Sequence, residues 1–580
     1  MTSITKICSR VKENFRFSTL SFLFIITYVN IFQLVLGPEN SIVGVIFTIM
    51  MSASMVRDLT AAPLKHLVIQ TAVLVWMALA AFWVTTLPAP LSLLINFITI
   101  LLILYAFTYE YSSHIYFPYI LSYLFLIFIS PVNAEQLPKR LLGMVAGAIS
   151  IMLYQWFMGR KRVRETARDV LSEMIDSVRT FISEDLSGTG KQPDLAEMRH
   201  KLCSLSQTVY DRRRKALCVS DASFSMIDAG RGLEHLLILI HELPVALSAQ
   251  DKAFLLKIDG QLEIFRAFLH QEITCLPLIK MADFLENEEE KTVAPFFQIL
   301  LYIRDRLLHM TDPQNRTHYR PTVLSFRVRL LTAIDFSPVR AIYAFRAALL
   351  LSCATLLVQL LALPHGKWLL FTAASLSLPY ADDVPAKMKK RLFATVLGGL
   401  LSVVIYSLIP FSAGRTAVMM LSGYISFYFT DYAETFTCST IGALGGAVFM
   451  SAFDLRSVGG IFLIRLSYVL VGAAAAYIAN CLIAPFSRAK ATRQLWEKYK
   501  AVTAFLTKVC HADHIDSQLY YNLVIQAHLQ EEKLSQNADL EQWANFPELL
   551  AQCREQVRTA HRPRIEERDS APVFEAKHLV

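Results

Sequence analysis

Ionised side chains set inside long apolar runs are the first candidates for chemistry, because each is costly to hold in hydrocarbon. Arg465 follows Ile461-Phe462-Leu463-Ile464 and precedes 22 uncharged residues ending just past Pro485. A guanidinium so placed calls for a carboxylate, water or an anionic solute, or else snorkels to the outer interface. Arg140 stands in the matching place of the first half but nearer a loop, where the interfacial role is favoured. Arg346 and Arg391 each begin an apolar run, and Asp382 and Asp383 lie between them in Tyr380-Ala381-Asp382-Asp383-Val384-Pro385. Neighbouring carboxylates push one pKa upward, which suits a proton acceptor, although an ordinary inner loop would read the same way. Asp431, Glu434 and Glu110 sit at comparable turns, with no Lys or Arg in Asp431–Thr437 to neutralise the first two. Trp368 falls at an expected outer interface, where indole rings favour the headgroup level. Arg346, Arg391, Arg465 and Trp368 are therefore the candidates for substrate binding or translocation. Asp382, Asp383 and Asp431 are the candidates for proton coupling. Tyr109, Tyr111, Tyr424, Tyr428 and Tyr432 line either an aromatic path or a packing belt.

Enzyme constellations are absent from the sequence. There is no GxxxxGK[ST] phosphate cradle and no HExxH. The 9 cysteines form no CxxC pair, so neither a zinc framework nor a disulfide scaffold is expected. His200, His235, His241 and His270 have no ligand-like company, and Arg212-Arg213-Arg214 reads as a solvated or lipid-facing edge. The expectation is a protein that is not an enzyme, with no cofactor, no metal and no nucleic-acid partner.

The elements that must position these residues are apolar helices. Of 580 residues 54% are apolar and 18% charged, with mean hydropathy +0.41. A soluble enzyme or a disordered chain would carry more charge. The net charge of +8 fits basic edges facing anionic lipid. A crossing needs ~20 apolar residues. Lys65 and Glu110 bracket 44 residues without Asp, Glu, Lys or Arg, enough for two crossings with a turn at Leu87-Pro88-Ala89-Pro90. Phe17–Met55 holds two more around Gly37-Pro38-Glu39-Asn40, and Ile115–Ser130 and Leu141–Met158 complete six. Ala347–Leu363, Trp368–Pro379, Leu392–Ile409, Thr416–Phe429, Phe436–Phe453 and Leu466–Pro485 form a second six, of which 368–379 and 416–429 are short. The remaining chain is charge-rich with helical periodicity in Ala167–Glu184, Leu195–Leu217 and Lys252–Glu272, and helical through about 557 at its end.

The expected fold is all-α: a polytopic membrane protein of two six-helix membrane halves (a 6+6 parallel repeat) with helical cytoplasmic domains. Its divisions are a cytoplasmic N-terminus (1–16), a first membrane domain (17–158), a helical cytoplasmic domain (159–340), a second membrane domain (341–487) and a helical cytoplasmic C-terminal region (488–580). Lys6, Arg10, Lys12 and Arg16 before the first run place both termini in the cytoplasm by the positive-inside bias. No cleavable signal peptide is read.

The halves echo one another. Phe47-Thr48 precedes Asp58 as Phe371-Thr372 precedes Asp382, and Lys65 matches Lys389, all at an offset of 324. Arg140-Leu141 with Gly147-Ala148 matches Arg465-Leu466 with Gly472-Ala473 at 325. Such parallel repeats place transport sites at the repeat interface.

The run Arg346-Ala347-Ala348, Trp368, Pro379, Lys390-Arg391 and Gly398-Gly399, with this layout, resembles the fusaric acid resistance (FUSC-like) and aromatic acid exporter family. Plant aluminium-activated malate channels are distantly similar in their membrane part. The resemblance implies a bacterial inner-membrane, proton-coupled efflux transporter of small aromatic or other organic acids. Its partners would be the lipid bilayer, an organic-acid substrate, a periplasmic adaptor protein and further copies of the chain. The first half departs from the pattern: Lys65-His66 replaces the basic start of the third helix and no glycine pair follows. The rival readings are an anion channel gated by the cytoplasmic domain and a non-transporting envelope scaffold.

Overall fold

A computed structural model describes residues 3–55, 63–108, 116–158, 162–187, 193–212, 217–244, 247–284, 290–321, 337–409, 411–448, 455–483, 485–511 and 516–568. Glu110, Tyr109, Tyr111 and the Arg213-Arg214 pair lie outside the described residues. The described residues are all-helical. In chain order the helices are α1 (Ser3–Leu36), α2 (Ser41–Ser54), α3 (Pro63–Thr86), α4 (Ala89–Phe107), α5 (Tyr116–Phe128) and α6 (Leu137–Met158). Then come α7 (Arg162–Leu186), α8 (Leu195–Arg212), α9 (Asp221–His241), α10 (Ala249–Leu269), α11 (Glu290–Thr311) and the single turn α12 (Pro313–Thr317). The second apolar set is α13 (Pro338–Leu360), α14 (Lys367–Leu376), α15 (Val384–Leu408), α16 (Ser412–Ser426), α17 (Tyr432–Val448) and α18 (Leu455–Tyr477). After these come α19 (Arg488–Cys510), α20 (Ser517–Glu541) and α21 (Phe546–Arg568).

The protein is thus an all-helical polytopic membrane protein, with six apolar helices on each side of a charge-rich stretch. Among the described residues seven helices are long and apolar enough to cross a bilayer. The second helix of each set is short: α2 has 14 residues and α14 has 10. The repeat is carried in packing as well as spelling. Gly147 and Gly472, matched in sequence, each take a residue of the second helix of their own set. A Cβ on Gly147 would strike the Phe47 ring, and one on Gly472 would sit 2.6 Å from the Leu369 carbonyl.

Two compact units emerge. The apolar unit joins both sets. Within it α13 lies along α4. Arg340 donates to the Tyr105 carbonyl at 2.6 Å, and Phe97–Phe345, Tyr116–Tyr343 and Phe125–Phe371 ring pairs sit 5.0–5.7 Å apart. Mixed aromatic and aliphatic packing of this kind supplies cohesion where the hydrophobic effect is weak. The charge-rich unit joins the middle stretch to the C-terminal stretch, so α19–α21 complete the domain that α7–α12 begin. Sequence separates these two stretches because the second membrane set intervenes; packing unites them, with α20 against α8. α21 runs to Arg568, past the expected end near 557. An Arg558–Glu555 pair one turn apart, at 2.9 Å, supports that extension.

Candidate functional site

The site forms in the second apolar set, where four helices present short side chains and aromatic faces to buried cations. On α15, Lys387 and Arg391 are one turn apart and share a face. On α17, Tyr432, Phe436 and Thr440 follow the same spacing. On α14, Trp368, Thr372 and Ser375 do so, and the Thr372 hydroxyl donates to the Trp368 carbonyl at 2.8 Å. A close approach lets these helices meet: a Cβ on Gly398 of α15 would lie 2.8 Å from the Thr437 carbonyl and from Thr440 Cβ on α17.

These rows interlock as a ladder. At the first rung the Lys387 ammonium stands 5.1 Å from the Tyr432 ring, whose hydroxyl donates to Ser375 at 3.4 Å. At the second, the Arg391 guanidinium lies 4.1 Å from the Phe436 ring and 3.5 Å from the Thr372 hydroxyl. At the third, Arg465 of α18 lies 5.0 Å from the Trp368 ring and 3.5 Å from the Thr440 hydroxyl. The rungs are one helical turn apart, about 5–6 Å along the bundle.

Arg391 is 5% exposed and Arg465 4%, and on both the Nε and Nη1 atoms lack hydrogen-bond partners. Burying a cation without a counter-ion costs several kcal/mol, and a ring face returns about 2 kcal/mol at best. The arrangement is therefore complementary to an anion, and the ring faces beside each cation suit an anion that carries a planar group.

The remaining sequence candidates lie elsewhere. Arg346 is 4% exposed and donates from Nη2 to the carbonyls of Leu378 at 2.5 Å and Pro379 at 3.4 Å. It also reaches the Asn480 carbonyl at 3.5 Å, in the π-helical stretch Ile478–Ile483 that continues α18. It thus caps freed carbonyls. Asp383 pairs with Arg488 at 2.6 Å, and Asp382 accepts from the Arg488 amide at 2.6 Å. Asp431 pairs with Lys390 at 2.6 Å and accepts from the Ala433 amide. Sequence shows no basic residue near Asp431, yet Lys390 arrives from α15, and its contact holds the Asp431 carboxyl below its usual range. Tyr424 and Tyr428 hydrogen-bond one another at 2.6 Å, and Tyr424 meets Thr19, a packing role. Sequence reading missed Lys387, Phe436, Thr372 and Thr440. The signal was present in their one-turn spacing on α14, α15 and α17, but which rows face each other is a property of the tertiary arrangement.

Fold and site together define a polytopic helical membrane protein whose second half buries cations that have no carboxylate partner among the described residues. Residues 353–479 of this half match the fusaric acid resistance protein-like family, a stretch that holds Trp368, Arg391 and Arg465. The inner membrane protein YccS of Escherichia coli (strain K12) is 24% identical over 213 residues, covering 36% of this chain and 29% of that protein. The match thus spans less than a third of that relative's length. No solved structure matches the chain.

Proposed function

We propose that the chain is an inner-membrane efflux transporter of small aromatic or other organic acids, moving the anion along Lys387, Arg391 and Arg465. The single observation that supports this reading is the pair of buried guanidinium groups with unsatisfied donors beside aromatic faces. A carboxylate would take the Nε and Nη1 donors of one arginine and pass to the next, while its ring exchanges contacts with Phe436 and Trp368. Like charges on neighbouring rungs keep a bound anion from settling on one of them. Proton coupling belongs in this proposal to Asp382 and Asp383 at the Arg488 contact. Asp431, already held ionised by Lys390, serves better as a fixed charge that restrains Lys390 beside Arg391. Termini on the cytoplasmic side, an adaptor across the membrane and assembly of several copies complete the proposal.

The test is p-hydroxybenzoate flux in proteoliposomes with and without an imposed pH gradient. Arg465→Met and Arg391→Met should each cut flux by at least about 100-fold, the loss of one charge-assisted contact in a dry site. Flux that survives both substitutions removes the ladder from the mechanism. Flux indifferent to the gradient makes the protein a channel rather than a coupled exporter.

A further inference from the structure

The charge-rich unit holds a half-open cavity of about 1140 Å³, larger than the ~300–1,000 Å³ of most small-molecule sites. Its walls come from both stretches of sequence: α8, α9 and α11 from the middle, α19, α20 and α21 from the end. One wall is cationic and aromatic. Arg231 donates to Asp228 and to the Tyr520 hydroxyl, both at 3.2 Å. Arg320 donates to Asp221 at 3.1 Å. Arg306 lies 5.0 Å from the Tyr302 ring, with Nη2 3.3 Å from Asp305. Asp228 lines the cavity, whereas Asp221 and Asp305, which anchor Arg320 and Arg306, do not. Three guanidinium groups therefore face the space, each also touching a carboxylate, of which Asp228 alone lines the cavity.

Two features mark this wall as a binding surface rather than a neutral seam. Arg306 is only 9% exposed, yet its Nε has no hydrogen-bond partner. Phe224 and Tyr521, which also line the cavity, lie face to face, 3.8 Å apart and 17° from parallel. Elsewhere in the cavity five acids have basic partners: Glu531 with Arg554, Glu532 with His200, Glu234 with Arg199, and Glu242 and Glu555 with Arg558. The unspent donor capacity is concentrated at the aromatic wall.

We propose that this cavity binds a small organic anion bearing a planar ring, its anionic group on Arg306 and Arg320 and its ring against Tyr302 and the Phe224–Tyr521 stack. The forked donors of arginine match both a carboxylate and a phosphate, so an aromatic acid and a nucleoside monophosphate share the required chemistry. Occupancy joins α11 to α20 across the two stretches of sequence, so the bound anion stabilises the unit as a whole. The inference does not depend on the transport reading, since none of its residues belongs to the ladder.

The test uses the full chain in lipid nanodiscs carrying Arg391→Met and Arg465→Met, so that the ladder cannot report. Calorimetric titration with p-hydroxybenzoate, with AMP and with inorganic phosphate separates the sources. Saturable binding of p-hydroxybenzoate or of AMP is expected, with inorganic phosphate weaker, and the stronger of the two names the source. Arg306→Met should weaken that binding at least about tenfold, the worth of one charge-assisted pair. Arg320→Met, at a more exposed position, should weaken it too without threatening the fold, which circular dichroism verifies. Absence of binding by both ring-bearing probes at millimolar concentration overturns the proposal. So does affinity unchanged in both arginine variants, or phosphate binding as tightly as AMP.

Discussion

Arg140 and Arg465 stand at equivalent places in the two repeats and are used in opposite ways. Arg140, 1% exposed, donates to Asn40 at 2.7 Å, to the Glu39 carbonyl at 2.9 Å and to Ser130 through both its hydroxyl and its carbonyl. Arg465, among the described residues, has one long contact to a hydroxyl and a ring face. Arg140→Met should therefore destabilise the protein by about 3 kcal/mol, since it strands buried acceptors. Arg465→Met should leave stability unchanged or raise it, because an unpaired buried charge is removed. Unfolding midpoints of the two variants in detergent check the contrast, and equal losses would mean that both arginines are structural. A second residue makes a pH prediction. Burial and the nearby Arg231 and Arg554 push the His528 imidazole down from 6.5 to about 4, against the pull of Glu531, while its Nδ1 lies 2.7 Å from the Ser206 hydroxyl. The unfolded chain takes the proton near 6.5 and the folded one refuses it until about 4. The stability this neutral ring confers is complete above pH 6.5 and is lost as pH falls through that window. The ring opens on the cavity, so the effect is about 1–3 kcal/mol rather than the full shift. His528→Gln, which keeps a partner for Ser206, should flatten the midpoint-against-pH curve between pH 6.5 and 4.

The apolar helices and their number are legible in the sequence because a bilayer demands long uncharged runs, and those runs need no tertiary information to be recognised. The same holds for α7, α8 and α10, whose charged faces repeat at helical spacing. What the sequence does not show is register. Nothing in Trp368 or Phe436 alone says which arginine each will face, since that depends on how far α14 and α17 slide past α15 and α18. The short contacts at Gly398 and Gly472 fix that slide. Gly472→Ala puts a methyl group against the Leu369 carbonyl, a backbone atom that can yield only if α14 moves. The expected cost is about 1–3 kcal/mol, together with a fall in p-hydroxybenzoate flux as Trp368 and Thr372 leave their arginines. Flux at the wild-type rate with a lowered unfolding midpoint would separate packing from alignment. Arg465 was readable as a candidate from its isolation in apolar sequence and Arg391 from its place at the start of an apolar run, whereas Lys387 was hidden beside Lys389 and Lys390 as one more basic residue at a helix start.

On the scale of the whole molecule, the charge-rich unit is one body written in two places. Phe224 of α9 stacks on Tyr521 of α20, and Gln518 exchanges hydrogen bonds of 2.8 and 2.9 Å with the backbone of Val219. A chain truncated after residue 511 loses these contacts and exposes apolar side chains such as Leu202 and Phe224, both buried in the full protein. Limited proteolysis of such a truncated chain should cleave within α7–α11 at protease levels that leave the full chain intact. Equal resistance would make the middle stretch a domain in its own right. The divided unit also carries a consequence for biogenesis. A ribosome finishes α12 and then has 199 residues to translate between Thr317 and Ser517, the second apolar set among them, before α20 appears. At about 5–20 residues per second this takes roughly 10–40 s. For that time the nascent chain holds half a core open to water, and its quality control rests on whatever chaperone shelters the waiting helices until the closing segment arrives.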